Sequence, residues 1–331
     1  MVGKQKGGHQ EQEPFTILIH RFPAFNLFFC TSLREHYRLL DPHNSPEESV
    51  HSYLSREAQK VRALVCVGHT PLKSDVLGLL PSLELVVGSS AGVEHIDLPE
   101  CRRRGIAVTN AGTAFSEDVA DCAIALLIDV LRRVSSGDRY VRSGLWPKCG
   151  HIALGSKLGG KRIGIIGLGN IGSEIAKRLL AFGCSIAYNS RKKKVSVPFP
   201  FYANVRDLAA NSDVLVLCCS LTNETYHIIN TDVMKALGKD GVVINVGRGG
   251  LVDEKELVRS LVGGEIGGAG LDVFEDEPDV PKELCELDNV VLSPHASVLT
   301  PESFEALHDT VLANLNAFFS NKPLVSPFPN E

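Results

Sequence analysis

Lys161-Arg162-Ile163-Gly164-Ile165-Ile166 runs directly into Gly167-Leu168-Gly169-Asn170-Ile171-Gly172, and the stretch from Ser173 to Phe182 that follows has helical spacing. An apolar strand, a glycine turn and a helix in that order make the unit that receives a dinucleotide. Each glycine answers a separate demand. Gly167 permits the tight turn, Gly169 lets a pyrophosphate approach the backbone, and Gly172 lets helix and strand pack closely, with the helix N-terminus facing the anion. Asn170 and Ile171 lie between them and belong to the same expected cofactor-contacting turn.

Working outward, the same alternation continues in both directions. After the turn, apolar β-branched runs at 184–189, 213–218, 241–247, 266–273 and 290–294 join the strand at 162–167 to give six expected strands of a doubly wound sheet. Before it, Phe15 to His20, Ala63 to Gly68, Leu83 to Ser89 and Ile106 to Asn110 read as strands of a separate parallel sheet. Between the two series, Glu117 to Arg142 carries Val119, Ala123, Leu126, Leu127, Val130, Leu131 and Val134 at helical spacing, which predicts one long joining helix with Ser116 as its N-cap. Pro301 to Asn321 is again amphipathic and is expected to return to the first domain. The expected organisation is a disordered tail over 1–13, a domain made of 14–115 with 298–331, and a second domain over 116–297 inserted between its halves.

The second strand after the turn decides which dinucleotide fits. A carboxylate at its end would bind the adenosine ribose hydroxyls, whereas cations accommodate a 2′-phosphate. The strand ends Tyr188-Asn189-Ser190-Arg191-Lys192-Lys193-Lys194, with no Asp or Glu. Arg191 offers a planar fork and Ser190 a hydroxyl, with Lys192 beside them, so NADPH is the expected cofactor and NADH the weaker one.

Composition sets the outer limits. At 331 residues with 44% apolar and 22% charged residues, the chain has room for two cores and the make-up of an ordinary globular protein. A net charge of -5 gives no general attraction for nucleic acid or anionic lipid. The nine cysteines lack paired spacing, so they read as reduced thiols, not a disulfide frame or metal site. The polar N-terminal stretch has neither a signal-peptide core nor transit-peptide character, and no apolar run is long enough for a membrane span, so a cytosolic location is expected.

Three later segments put polar residues at the carboxyl ends of expected strands, where open sheets build their sites: Asn245 to Gly249, Asp272 to Pro278, and Ser293 to His295. Reduction of a 2-oxo acid needs a cation for the carboxylate, a proton donor for the carbonyl oxygen and a neighbour that keeps the donor charged. Arg, His and Glu suit those tasks. At this point the sequence resembles the D-isomer-specific 2-hydroxyacid dehydrogenases, most closely the plant hydroxypyruvate and hydroxyphenylpyruvate reductases. The resemblance rests on GLGNIG, INVGRGGLVDEKELV, GGAGLDVFEDEP and LSPHAS, in family order and spacing, and extends from about residue 60 to residue 325.

The resemblance implies two Rossmann-like domains: a doubly wound parallel-sheet NAD(P)-binding domain inserted into a flavodoxin-like substrate-binding domain. It implies Arg248 as the residue gripping the 2-oxo acid, His295 as general acid, and Glu277 as the partner holding His295 in its protonated form. Asp272 and Ser297 would hold the nicotinamide carboxamide, Thr222 would line the cofactor near the adenine, and the loop Ser90-Ala91-Gly92 would receive the substrate carboxylate. Two positions depart from the usual pattern: Ser220, where many relatives have Pro, and Ala91, where many have a larger β-branched residue. A homodimer is implied, with the arm near Trp146 crossing between subunits. The alternative is a dinucleotide-sensing, corepressor-like binding protein of the same fold; the absence of a long extension and the likeness over 240–297 favour the reductase.

Overall fold

The computed structural model describes residues 14–24 and 30–328, so the tail expected over 1–13 lies outside the described residues. The chain divides into two compact units, one formed by residues up to Gly112 together with those from Glu305, the other by Thr113–Phe304.

The first unit is built on β1 (Thr16–His20), β2 (Arg38–Leu40), β3 (Ala63–Cys66), β4 (Leu85–Gly88) and β5 (Ala107–Thr109), all parallel in the order β2-β1-β3-β4-β5. That is the flavodoxin order. β3 and β4 are buried along their whole length, which is why they read as unbroken apolar runs. β2 is the strand that sequence reasoning missed, because three residues at a sheet edge are too few to show a period. Most of the helix Pro301–Phe319 belongs to this unit, where Asn316 accepts the Tyr37 hydroxyl at 2.7 Å and Phe319 stacks on Phe15. The chain then pairs beside β5, with Phe328 N–H donating to the Val108 carbonyl.

The second unit contains β6 (Arg162–Ile166), β7 (Ser185–Asn189), β8 (Val214–Leu217), β9 (Val242–Asn245), β10 (Gly268–Leu271) and β11 (Val290–Leu292), parallel in the order β11-β10-β9-β8-β6-β7. The winding reverses between β6 and β8, the place where doubly wound sheets open a crevice. Register fixes what stands along that edge. Leu292 pairs with Leu271, Leu271 with Asn245, Asn245 with Leu217, Leu217 with Ile166 and Ile166 with Asn189, so all six strands end on one line. The residues just beyond them, from Gly167 to Ser293, therefore share one edge.

The joining helix is not continuous as its spacing predicted. It runs Ser116–Arg132, breaks at Arg133, whose φ is 56°, and resumes as Val134–Arg142. Two partners hold the break. The Leu131 carbonyl accepts the Ser156 N–H at 2.8 Å, and the Asp129 carboxylate accepts the Ser135 N–H and hydroxyl at the start of the second helix. Ser116 is also not the cap; it is the first helical residue, and Phe115 precedes it without a side-chain bond. Among the described residues no helix is long and apolar enough to cross a membrane, and the cysteines are free thiols.

Candidate active site

The turn after β6 has the shape its glycines forecast, but for three different reasons. Gly167 has φ of 100°, and a Cβ there would lie 2.5 Å from the Cys219 backbone nitrogen. A Cβ on Gly172 would lie 2.2 Å from the Gly167 carbonyl oxygen, so only glycine lets the helix Asn170–Ala181 start so close to the strand. A Cβ on Gly169 would meet nothing within 4 Å. Protein packing does not require glycine there; the open space in front of the helix N-terminus fits a pyrophosphate. Asn170 and Ile171 open that helix. Beneath the turn, the Cys218 thiol donates to the Gly167 carbonyl at 3.0 Å, and burial pushes both adjacent thiols up, that of Cys219 to about 11.

Beside this turn the basic run folds into a defined loop. The Gly167 N–H donates to the Asn189 carbonyl at 2.9 Å, which puts the end of β7 next to the turn. The fully buried Tyr188 accepts the Lys194 N–H on its hydroxyl oxygen at 2.8 Å, closing the loop over 190–194. Arg191 and Lys192 are exposed on it. The Ser190 hydroxyl donates to the Lys192 carbonyl at 2.7 Å within the loop. Across β6, Thr222 donates its hydroxyl to Glu224 at 2.7 Å. That bond, aided by a backbone N–H and the Arg191 charge, holds the Glu224 carboxyl below its usual range.

Further along the edge, buried Asn245 shapes the loop that carries Arg248. Its Oδ1 accepts the Gly247 N–H at 3.1 Å and its Nδ2 donates to the Arg248 carbonyl at 2.9 Å. The half-buried Arg248 guanidinium donates to the Gly247 carbonyl at 2.8 Å. The next residue, Gly249, lies so close to Phe274 that a Cβ would fall 1.9 Å from the Phe274 carbonyl carbon. This contact seats the Arg248 loop against the segment that carries Glu277.

Glu277 and His295 meet as the family resemblance implied. Glu277 Oε2 lies 2.7 Å from His295 Nδ1, and Oε1 accepts the Phe274 N–H at 3.0 Å. An ionised Glu277 carboxylate can only accept, so in that state Nδ1 carries the proton and Nε2 is the ring nitrogen not bonded to Glu277. His295 has φ of 52°, a left-handed conformation that costs a non-glycine residue roughly 1–2 kcal/mol. Asp272 holds it there. Fully buried, Asp272 accepts the Ser293 hydroxyl at 2.6 Å and the Ala296 N–H at 2.9 Å on Oδ1, and the Ser297 N–H at 3.2 Å on Oδ2. Its backbone carbonyl accepts the His295 N–H at 2.7 Å. The Asp272 carboxylate and the Ser297 backbone N–H thus take part in shaping the histidine loop.

The loop of the first unit that was expected to take a carboxylate lies after β4. Its carbonyls are used up internally: Ala111 N–H donates to Ser90, Asn110 Nδ2 to Ala91 at 2.9 Å, and the Ser90 hydroxyl to Gly92 at 2.8 Å. The Ala91, Gly92 and Val93 N–H groups find no acceptor among the described residues.

Sequence reasoning missed a second histidine–carboxylate pair, His227 with Glu275, and the loop-shaping bonds of Tyr188 and Asn245. Nothing in the local sequence joins His227 to a residue 48 positions away. Asn245 had a usable signal, a polar side chain closing an apolar strand.

A glycine turn at the switch point of a doubly wound sheet and a histidine–glutamate pair on the same edge define a dinucleotide-dependent oxidoreductase. The chain belongs to the D-isomer-specific 2-hydroxyacid dehydrogenase family: the model of that family's NAD-binding domain matches residues 124–297. A glyoxylate/hydroxypyruvate reductase of Arabidopsis thaliana is 58% identical over 318 residues, covering 96% of this chain and 98% of its own length. A hydroxyphenylpyruvate reductase of Plectranthus scutellarioides is 49% identical over 275 residues, 83% of this chain and 88% of that protein. Among solved structures, an NADPH-dependent glyoxylate/hydroxypyruvate reductase of Sinorhizobium meliloti, in complex with NADP and malonate, superposes with a TM-score of 0.87 at 35% identity, over 96% of this chain and 98% of that one.

Proposed function

We propose that this protein reduces a small 2-oxo acid to the D-2-hydroxy acid with NADPH. The observation that carries the reading is the His295–Glu277 pair, 2.7 Å apart, standing on the same sheet edge as the Gly167–Gly172 turn. The Gly167–Gly172 turn would hold the cofactor by its pyrophosphate, and the reduced nicotinamide of a bound NADPH would supply the hydride. Arg248 grips the carboxylate of the substrate and polarises its carbonyl, and His295 Nε2–H delivers the proton to the carbonyl oxygen. The product gains one C–H and one O–H bond and keeps its carboxylate. Glu277 fixes the imidazole plane and tautomer, so the proton is delivered from a set direction. Ser90, Ala91 and Gly92 supply backbone N–H groups for the substrate carboxylate.

NADPH is the preferred cofactor in this reading because Arg191 and Lys192 stand where an NADH-selective site needs a carboxylate, and Ser190 can turn its hydroxyl from Lys192 to a phosphate. The solved Sinorhizobium meliloti relative held NADP, which agrees. Thr222, Asp272 and Ser297 complete the cofactor's surroundings. Glyoxylate, hydroxypyruvate and hydroxyphenylpyruvate, named for the relatives, are the substrates to try first. A homodimer in the cytosol is part of the proposal. Between residues 134 and 154 the exposed Val134, Val141, Leu145, Trp146 and Leu154, the last 94% exposed, offer apolar surface to a second copy.

Absorbance at 340 nm with those three acids tests the reading. Wild type turns over at least one, and His295→Ala and Arg248→Ala each lose about 100-fold or more in kcat/KM. A wild type that binds NADPH yet is inert toward all three would overturn it.

A further inference from the structure

The structure assigns a positioning role to His227, acting with Glu275 and Tyr226. We infer that this group sets the angle between the loop carrying Arg248 and the loop carrying Glu277. The inference rests on the proposed roles of those two residues.

His227 touches both loops. Its backbone N–H donates to the Gly250 carbonyl at 2.8 Å, two residues beyond Arg248. Its ring Nε2 lies 2.8 Å from Glu275 Oε1, two residues before Glu277. The Tyr226 hydroxyl donates to the same oxygen at 2.9 Å, and the Tyr226 and His227 rings stack with centroids 3.9 Å apart. On the Arg248 side the grip is prolonged: Ile229 N–H donates to Leu251 and Asp253 N–H returns to Ile229. On the other side the Glu275 N–H donates to the Glu254 carboxylate at 3.2 Å. The Asp253 carboxylate stands 3.8 Å from His227 Nδ1. Gly249 against Phe274 and the bond from Glu275 N–H to Glu254 bring the loops together through backbone and helix-start contacts. The side-chain bond from His227 to Glu275 adds a further point that fixes the angle between them.

The backbone supports the same reading. His227 has φ of 51°, and like His295 it holds a left-handed conformation that suits glycine or asparagine better. The two left-handed histidines grip glutamates two positions apart in one loop, from opposite loops of the edge. Burial alone would raise the Glu275 carboxyl; the bonds from His227 and Tyr226 outweigh it and hold the group below its usual range, charged for the contact.

The test uses the full chain and the variants His227→Ala and His227→Gln, whose amide can also donate to Glu275. Three readouts are compared: kcat and KM for glyoxylate with NADPH, the NADPH Kd by fluorescence, and the His295 titration midpoint by proton NMR, assigned with His295→Gln. In His227→Ala, kcat falls about tenfold, the NADPH Kd stays within about twofold, and the His295 midpoint moves as Glu277 loosens; His227→Gln recovers most of kcat. An unchanged kcat and midpoint in His227→Ala overturn the inference, as does a loss shared equally by NADPH binding and not recovered by Gln. A wild type inert on 2-oxo acids would sink the proposed activity instead, and the NMR midpoint would then decide the positioning role alone.

Discussion

The carboxyl edges of the two sheets start from the same winding and end differently. Each sheet reverses beside its first strand, between β1 and β3 in one unit and between β6 and β8 in the other. In the second unit the chain leaves that point through glycine, and the helix N-terminus stands open. In the first unit it leaves through His20 and Arg21, and the edge fills with side chains. Arg21 Nε meets Asp41 at 3.0 Å with the two side chains only 11% and 8% exposed, while the Arg21 carbonyl and the Pro71 carbonyl lie within bonding distance of His43 and His20. Burial lowers the His20 ring below its ordinary value, in keeping with a neutral structural group. At the end of β4, the Ala91, Gly92 and Val93 N–H groups find no acceptor among the described residues. Topology thus offers a crevice in both sheets, and side-chain volume decides which is usable.

The comparison can be broken most severely at the glycine turn. Gly172→Ala forces a methyl against the Gly167 carbonyl, so NADPH affinity should fall more than about 100-fold and thermal stability with it. Gly169→Ala is the control within the same turn: it should keep the wild-type Tm while still weakening NADPH, as only the ligand needs that space. Equal Tm losses in both would mean that the turn is glycine-rich for folding alone.

Next in size is the filled edge of the first unit. Arg21→Met strands the nearly buried Asp41 carboxylate and should cost about 3 kcal/mol in denaturant unfolding, leaving the NADPH Kd unchanged. A loss of NADPH affinity as large as the loss of stability would show that the two edges are not independent.

The cofactor loop comes third. Ser190→Asp with Arg191→Ala should move the NADPH-to-NADH ratio of kcat/KM by about tenfold or more toward NADH, and an unmoved ratio would make the basic run mere surface.

The smallest effect belongs to Glu254. Burial raises its carboxyl, and the Glu275 and Asp276 charges add to that. A carboxyl raised on folding stabilises fully below its unfolded value and loses that contribution as pH climbs through the folded one. Glu254→Gln should therefore raise Tm by about a degree near pH 8 and by nothing near pH 4.

Much of this architecture was legible because parallel strands buried on both faces are written as short apolar runs. Ten of the eleven strands among the described residues follow from such runs, and β2 escaped because an edge of three residues has no period to read. The joining helix misled for a related reason: its apolar spacing continues past Arg133, while the break depends on Asp129, Ser135 and Ser156 bonds that spacing does not encode. The glycine turn, the basic run and the three polar strand ends were visible as local patterns. Their common edge was inferred from their places at the carboxyl ends of expected parallel strands, and the register of Leu292 through Asn189 is what puts them on one line.

By itself, then, the sequence determined the strands, the dinucleotide turn and the residue types at its edge, because each depends on neighbours within a few positions. Only the tertiary structure decided which groups touch. Asp272 serves the His295 loop, Ser190 bonds to Lys192, and His227 reaches Glu275, since these contacts join residues up to 48 positions apart or turn on the rotation of one side chain.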